Sequence, residues 1–566
     1  MAKGIMFIDG QRVEFNDEPN VLAVIRKVGI QMPTFCYYSD LSVYGACRMC
    51  VVENEETHKI DASCSMQPRD GMRLRTNTAR LLKHRRMILK LMLASHNCDC
   101  TVCERSGDCH LQELALQFGI RHVQFTDNRE VAPKDESSPA IVRDPSKCIL
   151  CGDCVRVCGE TIGMGIIDFV RRGYNMRVAP AFERQLSETL CISCGQCSAV
   201  CPTGAITVHN QIGDAWEAIH DPNTRVVVQI APAVRVAVGE AFGMPPGEQA
   251  LDQLVTALKI MGVDEVYDTI FGADFTTCEE AEEFKERLEK GGPFPMFTSC
   301  CPAWVKYLEN ENPKYLKNIS TCKSPMQMFA SVLREQYDLK DKEDGRRTFH
   351  IAIMPCTAKK MEAARPEFVH GGRPDVDMVL TTHEIIDMIK ESGIQLPQLE
   401  LEAPDIPFGL GSGSGMIYGS TGGVAESVIR YCMPDKSKNA LRELRFSPLR
   451  GKEFIREMTV HIGEKELKIA VVHGLAHAKD LLKEMDEGKA YYDLVEVMTC
   501  PGGCVGGAGQ PHALMPEKNQ RAAGLYELDN KAPFKRAEYN PIVSQFLKAR
   551  THEERHELLH VDYTKG

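Results

Sequence analysis

The chain has 566 residues, 43% hydrophobic and 26% charged, with a formal net charge of −11. This length predicts several domains, the composition is that of ordinary globular material, and the negative balance argues against nucleic acid or an anionic membrane as the main partner. The opening MAKGIMFIDGQRVEF has no apolar signal core, and the richest apolar window, VVVQIAPAVRVAVGEAF, is broken by Gln229 and Arg235. Neither an export signal nor a bilayer span is therefore expected, and the predicted location is the cytoplasm unless a partner carries the export signal. Thiols stay reduced there, so the 24 cysteines point to metal or redox chemistry rather than disulfides. Sixteen of them lie in tight clusters within the first 201 residues, and eight are scattered over the last 365.

In chain order, GIMFIDGQRVEF reads as a hairpin turning at Asp9-Gly10, and VLAVIRKVGI has helical spacing. Cys36, Cys47, Cys50 and Cys64 follow as C-x10-C-x2-C-x13-C. This departs from the plant ferredoxin spacing C-x4-C-x2-C. A 2Fe-2S centre is still the best reading, because GACRMC sets a close pair beside small residues. Residues 1–79 resemble the N-terminal 2Fe-2S domain of the large iron-sulfur subunit of respiratory NADH dehydrogenase, which implies a small α+β, β-grasp-like fold. ARLLKHRRMILKLMLASH, residues 79–96, reads as an amphipathic packing helix. Next, His96, Cys98, Cys100, Cys103 and Cys109 offer five candidates for four positions. Cys98 and Cys100 have one residue between them, an awkward chelate for one cube. The set His96-x3-Cys100-x2-Cys103-x5-Cys109 resembles a histidine-ligated 4Fe-4S module of the same families, assigned to residues 80–128. A neutral imidazole in place of a thiolate shifts a cluster potential upward.

DNREVAPKDESSPA, residues 127–140, is polar with two prolines and reads as a linker. A repeat follows: KCILCGDCVRVC at 147–158 and LCISCGQCSAVCP at 190–202. Each copy is C-x2-C-x2-C-x3-C, the run of bacterial two-cluster ferredoxins, in which the fourth cysteine crosses to the other cluster. One 4Fe-4S cube would take Cys148, Cys151, Cys154 and Cys201, the other Cys191, Cys194, Cys197 and Cys158. Common zinc frames are spaced differently. Residues 129–210 are thus predicted to form a ferredoxin-like domain with two 4Fe-4S clusters.

From about residue 211 the texture changes to α/β. VVVQIAPA, FPMFTSCCP, FHIAIMPCTAKK and LVEVMTCPGGC are strand-like runs leading into polar or cysteine-bearing loops. Open α/β folds build sites at the carboxyl ends of strands, so the late cysteines can converge. TSCCPAW at 298, MPCTAKKME at 354 and MTCPGGCVGGAGQP at 498 resemble the motifs of the iron-only (FeFe) hydrogenases, and the resemblance covers nearly the whole chain. It implies that residues 211–566 form an α/β catalytic domain holding the H-cluster. That group is a 4Fe-4S cube joined through one cysteine to a di-iron unit with CO, cyanide and a bridging amine dithiolate.

Carried over by motif, Cys301, Cys356, Cys500 and Cys504 hold the cube, and Cys504 bridges to the di-iron unit. The glycine pair of CPGGC lets the backbone bend round a bulky group. Lys359 matches the family's cyanide-binding lysine, with Glu362 to orient it; read alone, the two are a surface ion pair. Met354, Met498 and Pro232 match apolar positions of the pocket. Met326 stands where some members have glutamine, and Ala508 interrupts a glycine run, so the tuning of the pocket departs from the pattern. Neighbouring side chains rarely face one target, and the resemblance makes Cys301 the ligand and Cys300 the proton carrier. Heterolysis of H2 releases a proton that needs a path to water, and the implied relay runs through Glu280, Ser320 and Glu283 to Arg287. Glu280, Glu283 and Arg287 share a helix face, but CEEAEEFKERLEK read alone is a solvated face on which Glu279 or Glu282 serves equally. Cys98, Cys278, Cys322 and Cys432 read as packing residues.

The implied reaction is the reversible conversion of H2 into two protons and two electrons, with the N-terminal clusters as a wire. One 2Fe-2S cluster, three accessory 4Fe-4S clusters and the H-cluster bring iron to about twenty per chain. There is no Walker A motif, and GLGSGSG at 409–415 does not fit a dinucleotide-binding frame; it is expected to pack near the active site. No flavin or nicotinamide site is evident, yet the N-terminal arrangement resembles that of multi-subunit NAD(P)-linked and electron-bifurcating hydrogenases. This implies a flavin-containing NAD(P)H-binding subunit, a small 2Fe-2S subunit and ferredoxin as partners. The alternatives are a stand-alone ferredoxin-dependent hydrogenase, a hydrogen sensor and an iron-sulfur assembly scaffold. Cys300 and the chain's end soon after the catalytic region speak against the sensor, and Lys359, Glu362 and the relay against the scaffold. An electron carrier would explain residues 1–210 only.

Overall fold

The computed structural model describes residues 3–125, 132–434, 447–449, 452–463 and 465–564. The predicted hairpin forms. Lys3–Ile8 and Gln11–Asn16 pair antiparallel across Asp9 and Gly10, whose φ values of 51° and 85° suit a primed turn. They extend a five-stranded sheet in the order Gln11–Asn16, Lys3–Ile8, Arg73–Arg75, Val51–Asn54, Ile60–Ala62. The helix Val21–Lys27, capped by the Asn20 side chain, lays Val21, Leu22, Val24 and Ile25 into this core. The helix Ala79–Ala94 then buries Leu81, Arg85 and Leu89 and leaves Met87 and Leu91 exposed. Arg85 is tolerated inside because its guanidinium donates to the carbonyls of Met49, Thr76 and Val51.

The predicted linker is a correction in part. Residues 126–131 lie outside the described residues, but the rest is docked. Asp135 exchanges both backbone bonds with Arg143 at 2.8 and 2.9 Å. Its buried carboxylate accepts from the amides of Ser137 and Leu186. Such contacts are invisible in a polar, proline-containing string, because both partners come from later in the chain.

The repeat folds as a repeat. Leu150 and Gly152 in the first copy have φ of 56° and 80°, and Ser193 and Gly195 in the second have 56° and 69°. Each loop curls round its cysteines and runs into a short helix, Asp153–Arg156 or Gln196–Ala199. Two small sheets, Ile141–Arg143 with Ile206–Val208 and Ile167–Val170 with Arg177–Pro180, close the module.

The α/β region has two sheets. One is parallel throughout, in the order Glu265–Asp268, Thr224–Ile230, Arg347–Met354, Met378–Thr381. The other runs Met296–Phe297, Leu494–Met498, Lys465–His473, Lys452–Ile462, Ser447–Leu449, its first three strands parallel. Parallel strands buried on both faces read as unbroken apolar runs, and Ile351–Met354 and Leu494–Met498 are buried throughout. The long helices Ile270–Lys290 and Pro325–Asp344 pack on one another, and the first sets Phe271 and Phe275 among Val227 and Tyr267 of one sheet and Ala281 and Phe284 among Ile469 and Leu494 of the other. The C-terminus returns to this layer. Val561 N donates to Thr321 O at 2.7 Å and Lys323 N to Leu559 O at 2.9 Å, which sets Cys322 opposite His560 in an antiparallel bridge. Among the described residues, no helix is long and apolar enough to cross a membrane.

Candidate active site

Four strand ends deliver the site. Pro232 follows Thr224–Ile230, Cys300 and Cys301 follow Met296–Phe297, Cys356 follows Arg347–Met354, and Cys500 and Cys504 follow Leu494–Met498. Their loops line one cavity. Met354, Met498, Pro232 and Met326 form apolar walls, and Lys359 reaches the same space. Gly502 and Gly503, at φ of 83° and 89°, turn the chain between the two last cysteines. A Cβ on Gly503 would lie 2.6 Å from Thr421 N, so only glycine brings the backbone this close. GLGSGSG packs where expected: Gly415 lies against the start of Ile270–Lys290, and the chain continues into Tyr418 and Gly419 on the cavity wall.

Lys359 is not on the surface. It stands at the start of the helix Ala358–Ala363, just beyond Cys356, and is 8% exposed. Its Nζ lies 2.7 Å from Glu362 Oε2 and 3.4 Å from the Cys300 carbonyl. Ser324 Oγ donates to the same Glu362 oxygen at 3.1 Å. Burial pulls the lysine pKa down, but Glu362 and then Cys356 and Cys300 more than offset it, so the pKa is raised and the ammonium persists. A fixed cation beside four convergent thiols suits a cluster that carries anionic ligands.

Glu280 is wholly buried, and neither carboxylate oxygen has a hydrogen-bond partner. Burial, then the charge of Glu283, pushes its pKa up to about 8. Cys300 lies within its field; burial and then Glu280 hold that thiol well above its usual range. Further out, Ser320 Oγ donates to Glu283 Oε2 at 2.9 Å, and Arg287 Nη2 lies 2.5 Å from Glu283 Oε1. Arg287 also donates to the carbonyls of Asn318 and Ile319. The structure separates the glutamates that the sequence leaves equivalent. Glu282 is exposed and bonds Lys285 and Tyr431, while Glu279 turns to Arg555 and His560.

The N-terminal ligand sets approach the cavity in series. Thr357 Oγ1 donates to Ser193 O at 2.9 Å, and Gln196 Nε2 to Gly506 O at 3.0 Å. A Cβ on Gly195 would meet Thr357 Oγ1 at 2.3 Å, so the loop of Cys191, Cys194 and Cys197 abuts the loops of Cys356 and Cys504. The other ferredoxin-type set, with Cys148, Cys151, Cys154 and Cys201, touches both N-terminal modules. Arg105 Nη2 donates to Cys201 O at 3.0 Å, and Asn97 N to Ser146 O at 2.9 Å. Arg156 Nη2 donates to Cys36 O at 2.9 Å. Cys36, Cys47, Cys50 and Cys64 are all buried, with Cys47 N bonded to Cys36 Sγ at 3.2 Å. His96 has a buried, unpartnered Nδ1, while its ring is held at the Lys147 backbone and kept neutral by burial. A ring fixed through one nitrogen and free at the other is a ligand geometry. Cys100, Cys103 and Cys109 are half-buried.

Cys98 is a correction: it is exposed and bonds the His96 carbonyl at 3.3 Å, because the tight 93–100 turn faces solvent. Cys278, Cys322 and Cys432 are buried as expected. Sequence reasoning missed Tyr418, whose hydroxyl lies 2.9 Å from Thr277 Oγ1, and Glu496. Glu496 accepts from the amides of Gly422 and Ala425 at 2.6 and 2.8 Å behind the cavity. A lone glutamate inside the apolar run LVEVM was the available signal.

Residues 224–508 match the family described as iron only hydrogenase large subunit, C-terminal domain. The NADP-reducing hydrogenase subunit HndD of Solidesulfovibrio fructosivorans is 39% identical over 575 residues, covering 99% of this chain and 98% of that protein. The chain belongs to the iron-only hydrogenase family. Iron hydrogenase 1 of Clostridium pasteurianum is 32% identical, covering 99% of this chain and 100% of that protein. The solved [FeFe]-hydrogenase HydA1 from Chlamydomonas reinhardtii superposes with a TM-score of 0.56 at 34% identity, covering 63% of this chain and 99% of that chain. The N-terminal modules match in turn a 2Fe-2S iron-sulfur cluster binding domain at 5–79, the NADH-ubiquinone oxidoreductase-G iron-sulfur binding region at 85–124 and a 4Fe-4S dicluster domain at 147–205. Residues 516–566 match the iron hydrogenase small subunit. As an iron-only hydrogenase, the chain is an iron-sulfur oxidoreductase of the class acting on H2, with an H-cluster domain behind its 2Fe-2S and 4Fe-4S modules.

Proposed function

We propose that this hydrogenase interconverts H2 with protons and electrons and is the catalytic subunit of a cytoplasmic, NAD(P)-linked complex. The observation that carries the reading is the convergence of Cys300, Cys301, Cys356, Cys500, Cys504 and Lys359 on one apolar cavity, with Glu280 on one side and the Gln196 loop on another. Cys301, Cys356, Cys500 and Cys504 would hold the H-cluster, with Cys504 as the ligand expected from the motif to be shared by its two parts. When bound, the H-cluster supplies the site at which H2 is split or formed.

The chain's own residues then do the following. Lys359, fixed by Glu362, holds the anionic ligands, while Pro232, Met354 and Met498 exclude water. Cys300 passes a proton to or from Glu280, whose raised pKa of about 8 keeps its carboxyl protonated at neutral pH, so that it hands its own proton on as it takes another. Ser320 and Glu283 extend that path towards the surface, and Arg287 steadies Glu283 as an ion pair, since a guanidinium does not release its proton. Cys191, Cys194, Cys197 and Cys158 would hold the cube next to the cavity and Cys148, Cys151, Cys154 and Cys201 the cube beyond it, and these clusters would supply the path for electrons. The Cys36/Cys47/Cys50/Cys64 and His96/Cys100/Cys103/Cys109 sets, whose modules touch the second of these, would hold the outer clusters. That gives one 2Fe-2S cluster and three accessory 4Fe-4S clusters.

The partner reading is supported by exposed apolar side chains on the His96 module: Val102 is 80% exposed, Leu116 63% and Leu91 52%. Isolated surface hydrophobics are ordinary, but a set on one cluster module suits a docked subunit. The partners are a flavin-containing NAD(P)H-binding subunit and a small 2Fe-2S subunit, with ferredoxin as a further carrier for electron bifurcation. Anaerobic purification from the native source tests this: a flavin-bearing polypeptide co-elutes with the chain. A chain that elutes alone and makes H2 from reduced ferredoxin would establish the stand-alone alternative.

A further inference from the structure

Among the described residues, one group of side chains outside the cysteine sets has the donors and spacing of a metal site. Glu283, Cys322 and His560 each place one ligand atom within 4.8 Å of the others. Cys322 Sγ lies 4.0 Å from Glu283 Oε2 and 4.0 Å from His560 Nδ1. Zinc binds thiolate at about 2.3 Å and imidazole or carboxylate at about 2.0–2.2 Å, so tetrahedral ligand atoms stand about 3.3–3.8 Å apart. The two sulfur separations of 4.0 Å need to close by about half an ångström, and the carboxylate and imidazole atoms already stand within 4.8 Å.

The surroundings are those of a built site. Cys322 and His560 face each other across the antiparallel bridge, which fixes their backbones. His560 Nε2 lies 3.2 Å from Glu279 Oε2, and Arg555 Nη1 holds Glu279 at 2.6 Å. A carboxylate on one imidazole nitrogen orients the other as a metal ligand and favours the tautomer with its lone pair there. Here that nitrogen is Nδ1, on the side of Cys322 and Glu283. Thr321 Oγ1, 2.8 Å from Nδ1 and 3.1 Å from Glu283 Oε2, would yield its place or serve as fourth ligand. One thiolate and one carboxylate balance a divalent charge. The N, S and O donor mixture suits a borderline ion such as Zn²⁺ rather than Mg²⁺ or Ca²⁺.

We propose that Glu283, Cys322 and His560 bind a Zn²⁺-type cation and that filling this site closes the proton path. The second half rests on the hydrogenase reading; the first does not. Glu283 Oε2, the oxygen that accepts from Ser320, is the one the cation would take. Occupancy therefore removes the acceptor through which a proton passes outward.

The test adds one equivalent of Zn²⁺ to the full chain carrying its iron-sulfur clusters, under anaerobic conditions. Retained zinc and zinc-edge X-ray absorption are then measured for the native chain, His560→Gln and Cys322→Ser. The expected result is one bound zinc with a single sulfur at about 2.3 Å, and an affinity at least about tenfold weaker in each variant, which is 1.4 kcal/mol. Zinc retained equally by the native chain and both variants, or by none, overturns the site. In the turnover arm, zinc should inhibit the native enzyme reversibly, and half-inhibition of His560→Gln, measured against that variant's own zinc-free rate, should need at least about tenfold more zinc. Zinc bound with the native spectrum but without inhibition refutes the blocking role. A native enzyme with no H2 turnover before zinc is added refutes the hydrogenase reading instead, and the spectra still decide the site.

Discussion

Lys359→Met separates a structural role from a role in the site. The substitution keeps the length of the side chain and removes its charge. Glu362, 2% exposed, then loses its ion partner at 2.7 Å and keeps only the Ser324 hydroxyl at 3.1 Å. Breaking a buried pair from one side costs about 3–5 kcal/mol, because the remaining charge is uncompensated. The double variant Lys359→Met/Glu362→Gln removes both charges and should recover most of that loss. The assays are denaturant unfolding of the isolated polypeptide and infrared spectra of CO and cyanide after maturation. The expected outcome is a destabilised single variant, a nearly restored double variant, and diatomic bands in neither. Diatomic bands and normal turnover in the double variant would refute the assignment of Lys359 to the anionic ligands. An unperturbed stability in Lys359→Met would refute the pairing argument itself.

Cys300→Ala should retain full iron content and the cube's EPR signal while turnover falls by at least about 100-fold; loss of the cube signal would move the ligand role from Cys301 to Cys300. Glu280 carries a pKa raised from 4.5 to about 8, so its acid form is lost as pH rises through about 8. H2 evolution should decline over that range, and Glu280→Gln should be slow at every pH without that inflection; an unchanged pH profile would remove Glu280 from the path. Gly195→Ala forces a Cβ to 2.3 Å from Thr357 Oγ1 at a φ of 69°. It should weaken the contact of the two loops by about 1–3 kcal/mol, slowing reduction of the accessory clusters by H2 while leaving isotope exchange at the active site intact.

The cysteine sets are legible because each is mostly local: a chelate needs donors a few residues apart, and the duplicated C-x2-C-x2-C-x3-C run carries its own control. The cavity is half legible. Apolar runs ending in cysteines announce strand ends, and parallel strands put those ends on one side. Which strands pair, and hence that Cys300 meets Cys356 and Cys504, is a tertiary fact. Three things are not legible. Glu280, Glu282 and Glu279 differ in what packs above the helix, which the string CEEAEEF does not show. The contact between Gly195 and Thr357 joins residues 162 apart, each unremarkable locally. The meeting of Cys322 with His560 depends on a C-terminal segment whose sequence shows only a charged helix.

The central claim is that this cavity splits H2 heterolytically and that Cys300 moves the proton. The matured protein under D2 in H2O, with no electron acceptor present, measures this directly. HD should form with the native chain and fall by at least about 100-fold in Cys300→Ala. No HD from a protein that shows CO and cyanide bands would contradict the account.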